Sequence, residues 1–367
     1  MFTGENMKKI IIGLLLLSNS LFAGTVTERE VIENYAELVY QTYSKSLVAA
    51  EGLQNEIHSF LNNPSETTLE NAKKAWIMAR APYGQSEVFR FYNGPIDQSD
   101  GPEGLLNAWP LDEAYIDYVV GQPNSGIINN QSDYPQITKD LLSNLNELNG
   151  EKNISTGYHA IEFLLWGQDL SDISAGNRPY TDFVVGVGQN AQRRREYLSV
   201  AVDLLIDHLT ILVIEWAPNE ANYRMDFVAK DSKIALKNIL SGIIYMIGDE
   251  LSGERMYVAW ETMGQEDEHS CFSDMTHMDI QWNYWGVENI LRETNLLSLN
   301  EAKKFELNIM SQVNSIHSQL ANIPVPFDQA ILSSNGRDRI LTSVESMEAL
   351  TLDFVNLSKD LNAPVQW

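Results

Sequence analysis

Cysteine occurs once in the 367 residues, at Cys271. No intramolecular disulfide can form, so a packed core must hold the fold. In an oxidising compartment a lone thiol is buried, a ligand or reactive, and burial is the expectation here. Basic residues are also scarce: 25 Lys and Arg face 50 Asp and Glu, a net charge of -25. That balance excludes a nucleic-acid partner, because phosphate-backbone binding needs a basic footprint. Strand-type alternation is almost missing. Beyond the N-terminus there is no uninterrupted apolar run of about 18 residues, so no transmembrane segment is expected in the mature chain. Several familiar catalytic motifs are missing too. There is no His-Glu-x-x-His, no Gly-x-Ser-x-Gly and no phosphate-binding loop.

What is present begins with an export signal. Met7-Lys8-Lys9 is a charged start, Ile10 to Leu17 a short apolar run, and Leu21-Phe22-Ala23 a cleavage site. This reads as a signal peptide over residues 1–23 and predicts secretion of the mature chain. After it, 3.6-residue periodicity dominates. Helices are expected over Val26–Leu61 and from a Thr67-Thr68-Leu69-Glu70 capping box toward Phe91, with a kink or break at Pro82. Further helical segments are expected over Phe183–Trp216, Arg224–Trp260 (whole or broken near Gly253), Gln281–Arg292, Leu299–Ala321 and Ser334–Asn362. Arg193, Arg194 and Arg195 read as a solvated helix turn. The class is all-α, as two helical bundles packed with a shared interface: residues 24–190 and 191–367.

The segment Gly157-Tyr158-His159-Ala160-Ile161-Glu162-Phe163-Leu164-Leu165-Trp166-Gly167 organises the rest. Ser155 or Thr156 can cap its start and Gly167 can end it. His159 and Glu162 are three residues apart, so both side chains leave one helix face and can meet a common target. An imidazole and a carboxylate held this way make half of a metal site, or an acid/base pair. The helix N-terminus favours neutral imidazole, the form that binds metal. Spacing alone leaves open a purely structural pair.

Other polar clusters lie far away in sequence. Glu266-Asp267-Glu268-His269-Ser270-Cys271-Phe272-Ser273-Asp274, with His277 and Asp279 beyond, mixes imidazole and carboxylate in a way that suits a hard or borderline cation. The same stretch equally reads as a helix N-cap region. Glu103 sits in a Gly- and Pro-bracketed loop. Glu87 and Arg90 are spaced as a surface ion pair or as a binding pair.

Gly157-x-His159-x-x-Glu162 resembles the signature of the imelysin family, also called the M75 peptidase family. Residues 76–97, 103–118 and 266–279 resemble the subgroup close to iron-regulated protein A. The resemblance implies two helical bundles with the motif near their interface, a periplasmic or outer-membrane-associated location, and a link to iron supply. Only His159 and Glu162 match the signature itself; Glu103, Asp267, His269 and His277 are weaker metal-ligand candidates from the local reading, and Glu87 and Arg90 binding candidates. Three functions follow. One is metal binding, with iron or zinc as the ion and other iron-uptake or envelope proteins as partners. A second is an M75-type metallopeptidase in which Glu162 is catalytic. The third is a peptide- or partner-binding module without metal.

Overall fold

The computed structural model describes residues 25–367. The signal-peptide reading over residues 1–23 lies outside them. Among the described residues the chain is helical throughout, with one isolated bridge between Val119 and Gln122 in place of any sheet. The all-α class is as expected.

Helix α1 (Glu28–Asn62) starts at Thr27, whose hydroxyl accepts from the Glu30 amide while Glu30 reaches back to the Thr27 amide. Two otherwise unpaired donors are satisfied at once. Helix α2 (Glu66–Ser86) uses the same device one turn earlier than the sequence suggests, with Ser65 and Thr68 as the reciprocal pair. Pro82 does not break α2, which runs on to Ser86. Tyr35, Val39, Tyr43, Leu53 and Phe60 form a buried stripe on α1. That stripe packs against α2 and also against the helix Ala191–Trp216.

The motif helix, α3 (Gly157–Trp166), is buried at every residue. Thr156 stands at its cap position, but its hydroxyl donates to the Leu105 carbonyl, and the Ser155 hydroxyl donates to that of Leu142. Both side chains therefore tie α3 to neighbouring segments instead of capping it. Gly157 has φ +83°, and an added Cβ would lie 2.5 Å from the Leu106 carbonyl oxygen. Only glycine suits that turn and that approach. Gly167, at φ +75°, ends the helix as expected.

Helix α4 (Ala191–Trp216) is shorter than the sequence pattern suggests. By length and composition it could cross a membrane; here Leu198, Val202, Leu205, Leu209 and Leu212 lie in the core. The arginine turn is not solvated, which corrects the sequence reading. Arg194 is buried and holds both oxygens of Asp117, at 2.7 and 3.0 Å, and Arg193 donates to the Ile127 and Ile128 carbonyls. Arginine forks satisfy backbone and carboxylate acceptors that would otherwise be buried unpaired.

The stretch from Arg224 to Trp260 is interrupted at residues 230–231, after a short helix Tyr223–Ala229, and near Gly253 it is widened and not broken. It contains α5 (Ser232–Tyr245), then wide i→i+5 turns from Met246 to Tyr257, then a short α-helical end. Such turns re-aim side chains and recur at functional sites. Helix α6 (Thr276–Glu293) packs along α2, and α7 (Lys303–Leu320), α8 (Phe327–Leu332) and α9 (Ser334–Asp360) complete the chain.

Candidate metal centre

Helix α3 and the loop before α6 deliver two histidines to one point. His159 Nε2 and His269 Nε2 face each other at 3.2 Å. On its other side His159 Nδ1 lies 2.9 Å from Glu162 Oε2, and His269 Nδ1 lies 2.9 Å from Asp279 Oδ2. All four side chains are buried. Each imidazole is thus held by its own carboxylate, and the two Nε2 atoms are left to share whatever lies between them.

The carboxylates differ in charge. Burial alone would raise Asp279, but Arg80 and His269 hold it far below the usual carboxylate range. Arg80 grips both Asp279 oxygens, at 3.2 and 2.7 Å, and is itself buried. An anionic Asp279 can only accept, so His269 carries its proton on Nδ1 and presents a lone pair at Nε2. Burial pushes Glu162 the other way, up to about 8, although the Ser273 amide and hydroxyl both donate to its Oε1. Burial, with His269 and Arg80 nearby, also holds His159 well below the usual imidazole range. With Glu162 protonated, neutral His159 accepts from it at Nδ1 and donates from Nε2 to His269, so the 3.2 Å contact is a hydrogen bond between the rings.

A cavity of about 390 Å³ opens beside His269. Trp109, with its ring 4.9 Å from that of His159, forms one wall. Glu103, Asn107, Glu250, Arg255 and Asp267 line the rest. Below it, Glu87 is fully buried and pairs with Arg255, while Asn107 bridges Arg80 and Glu87. Burial would raise Glu87, yet Arg255 keeps it ionised below the usual range. Arg255 and Arg90 hold Glu250 down to about 2 against the same burial.

The candidates from sequence distribute as follows. His159, Glu162 and His269 meet. Asp267 and Glu103 stand on the cavity wall, with Glu103 paired to Arg90 Nη2 at 3.2 Å. Glu87 and Arg90 are 3.5 Å apart and belong to the charged floor. His277 is half-buried on the first turn of α6 and is not among the cavity-lining residues. Sequence reasoning did not single out Arg80, Glu250 or Arg255, and it placed Asn107 and Asp279 in polar clusters without a role. Only Asp279 carried a local signal, ten residues after His269. Arg255 and Glu250 reach the site through the wide turns of residues 246–257, which no periodicity announces.

The rings fit a metal ion. Two imidazole nitrogens each about 2.0–2.1 Å from one ion would sit roughly 3.4 Å apart in a tetrahedral arrangement. The observed Nε2 separation is 3.2 Å. A carboxylate on each Nδ1–H is the usual support for metal-bound histidine.

Fold and centre together define an all-helical protein with a buried, carboxylate-braced histidine pair opening on an acidic cavity. The imelysin (M75 peptidase) family model matches residues 39–353, and the chain belongs to that family. It is 22% identical to iron-regulated protein A of Synechococcus elongatus over 336 residues, covering 86% of this chain and 81% of the relative. Among solved structures it resembles one described as an iron-regulated protein A precursor from Parabacteroides distasonis. The TM-score is 0.69 at 18% identity, covering 93% of this chain and 97% of the other. An imelysin-like protein from Psychrobacter arcticum gives a TM-score of 0.65 at 13% identity, covering 94% and 99%. At these identities the structural likeness establishes the fold.

Proposed function

We propose that this protein binds a transition-metal ion, iron in its physiological role, through Nε2 of His159 and Nε2 of His269. Glu162 and Asp279 orient the two rings, and His269 borders the cavity whose wall carries Asp267 and Glu103. The observation that carries this reading is the pair of facing Nε2 atoms, each ring braced from behind by a carboxylate. Mixed nitrogen and oxygen donors suit iron and zinc alike. The name of the Synechococcus relative supports iron. The signal-peptide pattern, together with the word precursor in the description of the Parabacteroides structure, supports work in the periplasm.

The peptidase reading is weaker. Both oxygens of Glu162 are engaged, by His159 and Ser273, so it is not free to act as a base.

The test is calorimetric titration of chelator-stripped mature protein with ferrous ion under anaerobic conditions, and with zinc. His159→Ala and His269→Ala should each lose at least about 100-fold in affinity, and Glu162→Gln about 10- to 100-fold. Unchanged binding in the double histidine variant would sink the proposal. Chelator-sensitive cleavage of an unfolded protein, lost in Glu162→Gln, would restore the peptidase reading.

A further inference from the structure

A second group of acids lies on the other side of the loop that carries His269. Carboxylate oxygens of Asp169, Asp274 and Asp328 lie within 4.8 Å of one another. They come from the loop after α3, the loop before α6, and the first turn of α8. Like charges this close repel, and nothing basic offsets them: no Lys, Arg or His is in salt-bridge contact with any of the three among the described residues. The Gln265 side-chain amide sits among them, bonding the Ser171 carbonyl at 3.1 Å and reaching Asp169 and Asp328.

The independent observation is Glu268. It is fully buried and both of its oxygens lack a hydrogen-bond partner. Its carboxyl abuts Asp328 and feels the charge of Asp274. Asp328 is also buried, with Oδ1 unpartnered, and Asp274 Oδ1 is unpartnered as well. A buried carboxylate with neither donor nor cation is expensive, and Glu268 is one; Asp169 accepts from the Ser171 amide, and Gln265 reaches one oxygen each of Asp169 and Asp328, which leaves Asp274 Oδ1 and Asp328 Oδ1 unmatched. Burial and mutual repulsion push Asp169 up to about 6 and Asp274 to about 7. A cation removes the repulsion and supplies the missing partner together.

We propose that Asp169, Asp274 and Asp328, with Glu268 behind Asp328, form a binding site for a hard divalent cation, calcium in preference to magnesium. Calcium takes six to eight oxygens at about 2.3–2.6 Å, so its ligands lie at most about 5 Å apart. The 4.8 Å limit on the three aspartates meets that requirement. The donors come from three separate segments, and calcium's flexible shell of six to eight oxygens accepts such a set more readily than the strict octahedron of magnesium. Gln265 adds an oxygen if its amide is turned over, since amide N and O are assigned from the network.

The consequence is mechanical. Glu268 precedes His269, and Asp274 follows Ser273, the residue that donates to Glu162. A cation here fastens both ends of the segment that completes the histidine centre, and holds it to α8 and to the loop after α3. The site stands independently of any ion between the histidines.

Chelator-stripped full-length mature protein is titrated with calcium chloride and, separately, with magnesium chloride, by calorimetry and thermal melting. One calcium per chain and a rise of several degrees in melting temperature at millimolar calcium are expected, with a smaller rise for magnesium. Asp274→Asn, at a half-exposed loop position, should lose at least about tenfold in calcium affinity, and Asp328→Asn more. Zinc affinity of the histidine pair, measured in calcium-saturated protein, separates this site from the one proposed above. Absence of calcium uptake by the stripped wild-type protein would overturn the inference. So would unchanged calcium affinity in both folded variants.

Discussion

The proton held between His159 and His269 sets how this centre meets a metal. A metal ion and that proton compete for the same lone pairs, so uptake must expel the proton. Glu162 is pushed up to about 8, so the line from Glu162 to His269 keeps its extra proton at neutral pH. Apparent metal affinity should therefore rise up to tenfold per pH unit from about pH 6 and level off above about pH 8. Calorimetry in buffers of different ionisation enthalpy should count about one proton released per ion. A pH-independent affinity would show that the rings share no proton. Gly157 is the other decisive single residue. Gly157→Ala should cost roughly 1–3 kcal/mol from the left-handed backbone, plus the clash with Leu106. Gly52, in mid-α1 with open space around it, is the control: Gly52→Ala should stabilise by about 0.5–1 kcal/mol. Urea unfolding of both variants decides it, and equal effects would refute the backbone explanation. The glycine, histidine and glutamate of the motif were legible in sequence because they are local. Arg80 and its pairing with Asp279 were not, because nothing in a linear chain says that residues 199 positions apart will share a bidentate bond.

At the level of elements, the centre depends on how closely helices approach. Helix α6 lies against α2 at Gly286, where an added Cβ would come 2.4 Å from the Gln85 carbonyl oxygen. That obstacle is backbone and cannot swing aside. Gly286→Ala should force α6 outward and destabilise by roughly 2–4 kcal/mol. It should also weaken metal binding, because α6 carries Asp279 and α2 carries Arg80. A shift of less than about 0.5 kcal/mol in urea unfolding would mean that the helices part without cost. Helix existence was mostly legible from the 3.6-residue period, since each amphipathic helix writes its buried stripe into its own sequence. Helix limits were less so. Ser65 took the capping role expected of Thr67, and Pro82 was tolerated in the last turns of α2. The wide turns of residues 246–257 left no trace in the pattern, because the change from i→i+4 to i→i+5 bonding is decided by what the segment packs against.

For the whole molecule, buried charge should make stability depend on pH in a definite way. Burial raises Glu162 to about 8 and, with neighbouring acids, Asp274 and Glu266 to about 7 each. Groups raised in the fold contribute stability below their unfolded values and lose it as pH climbs through their folded ones. Burial lowers His159, His208, His269 and His277. Neutral buried imidazoles contribute above their unfolded value, about 6.5, and that contribution is lost as pH falls. Above pH 6.5 the imidazoles are neutral in both states and only the raised acids still titrate, so metal-free protein should lose melting temperature as pH climbs from about 6.5 to 8. Calorimetric melts across that range in chelator check it, and a curve still rising at pH 8 would contradict it. The sequence by itself determined the helical class, the motif helix with its terminal glycine, the lone buried thiol and the acidic balance, because each is a property of neighbours along the chain or of simple counting. Only the tertiary structure decided that His269 meets His159, that Arg193 and Arg194 are buried on Asp117 and backbone carbonyls, and that three aspartates and Glu268 gather behind the histidine loop. Those are contacts between residues tens to hundreds of positions apart, and their free energy exists only once the helices have packed.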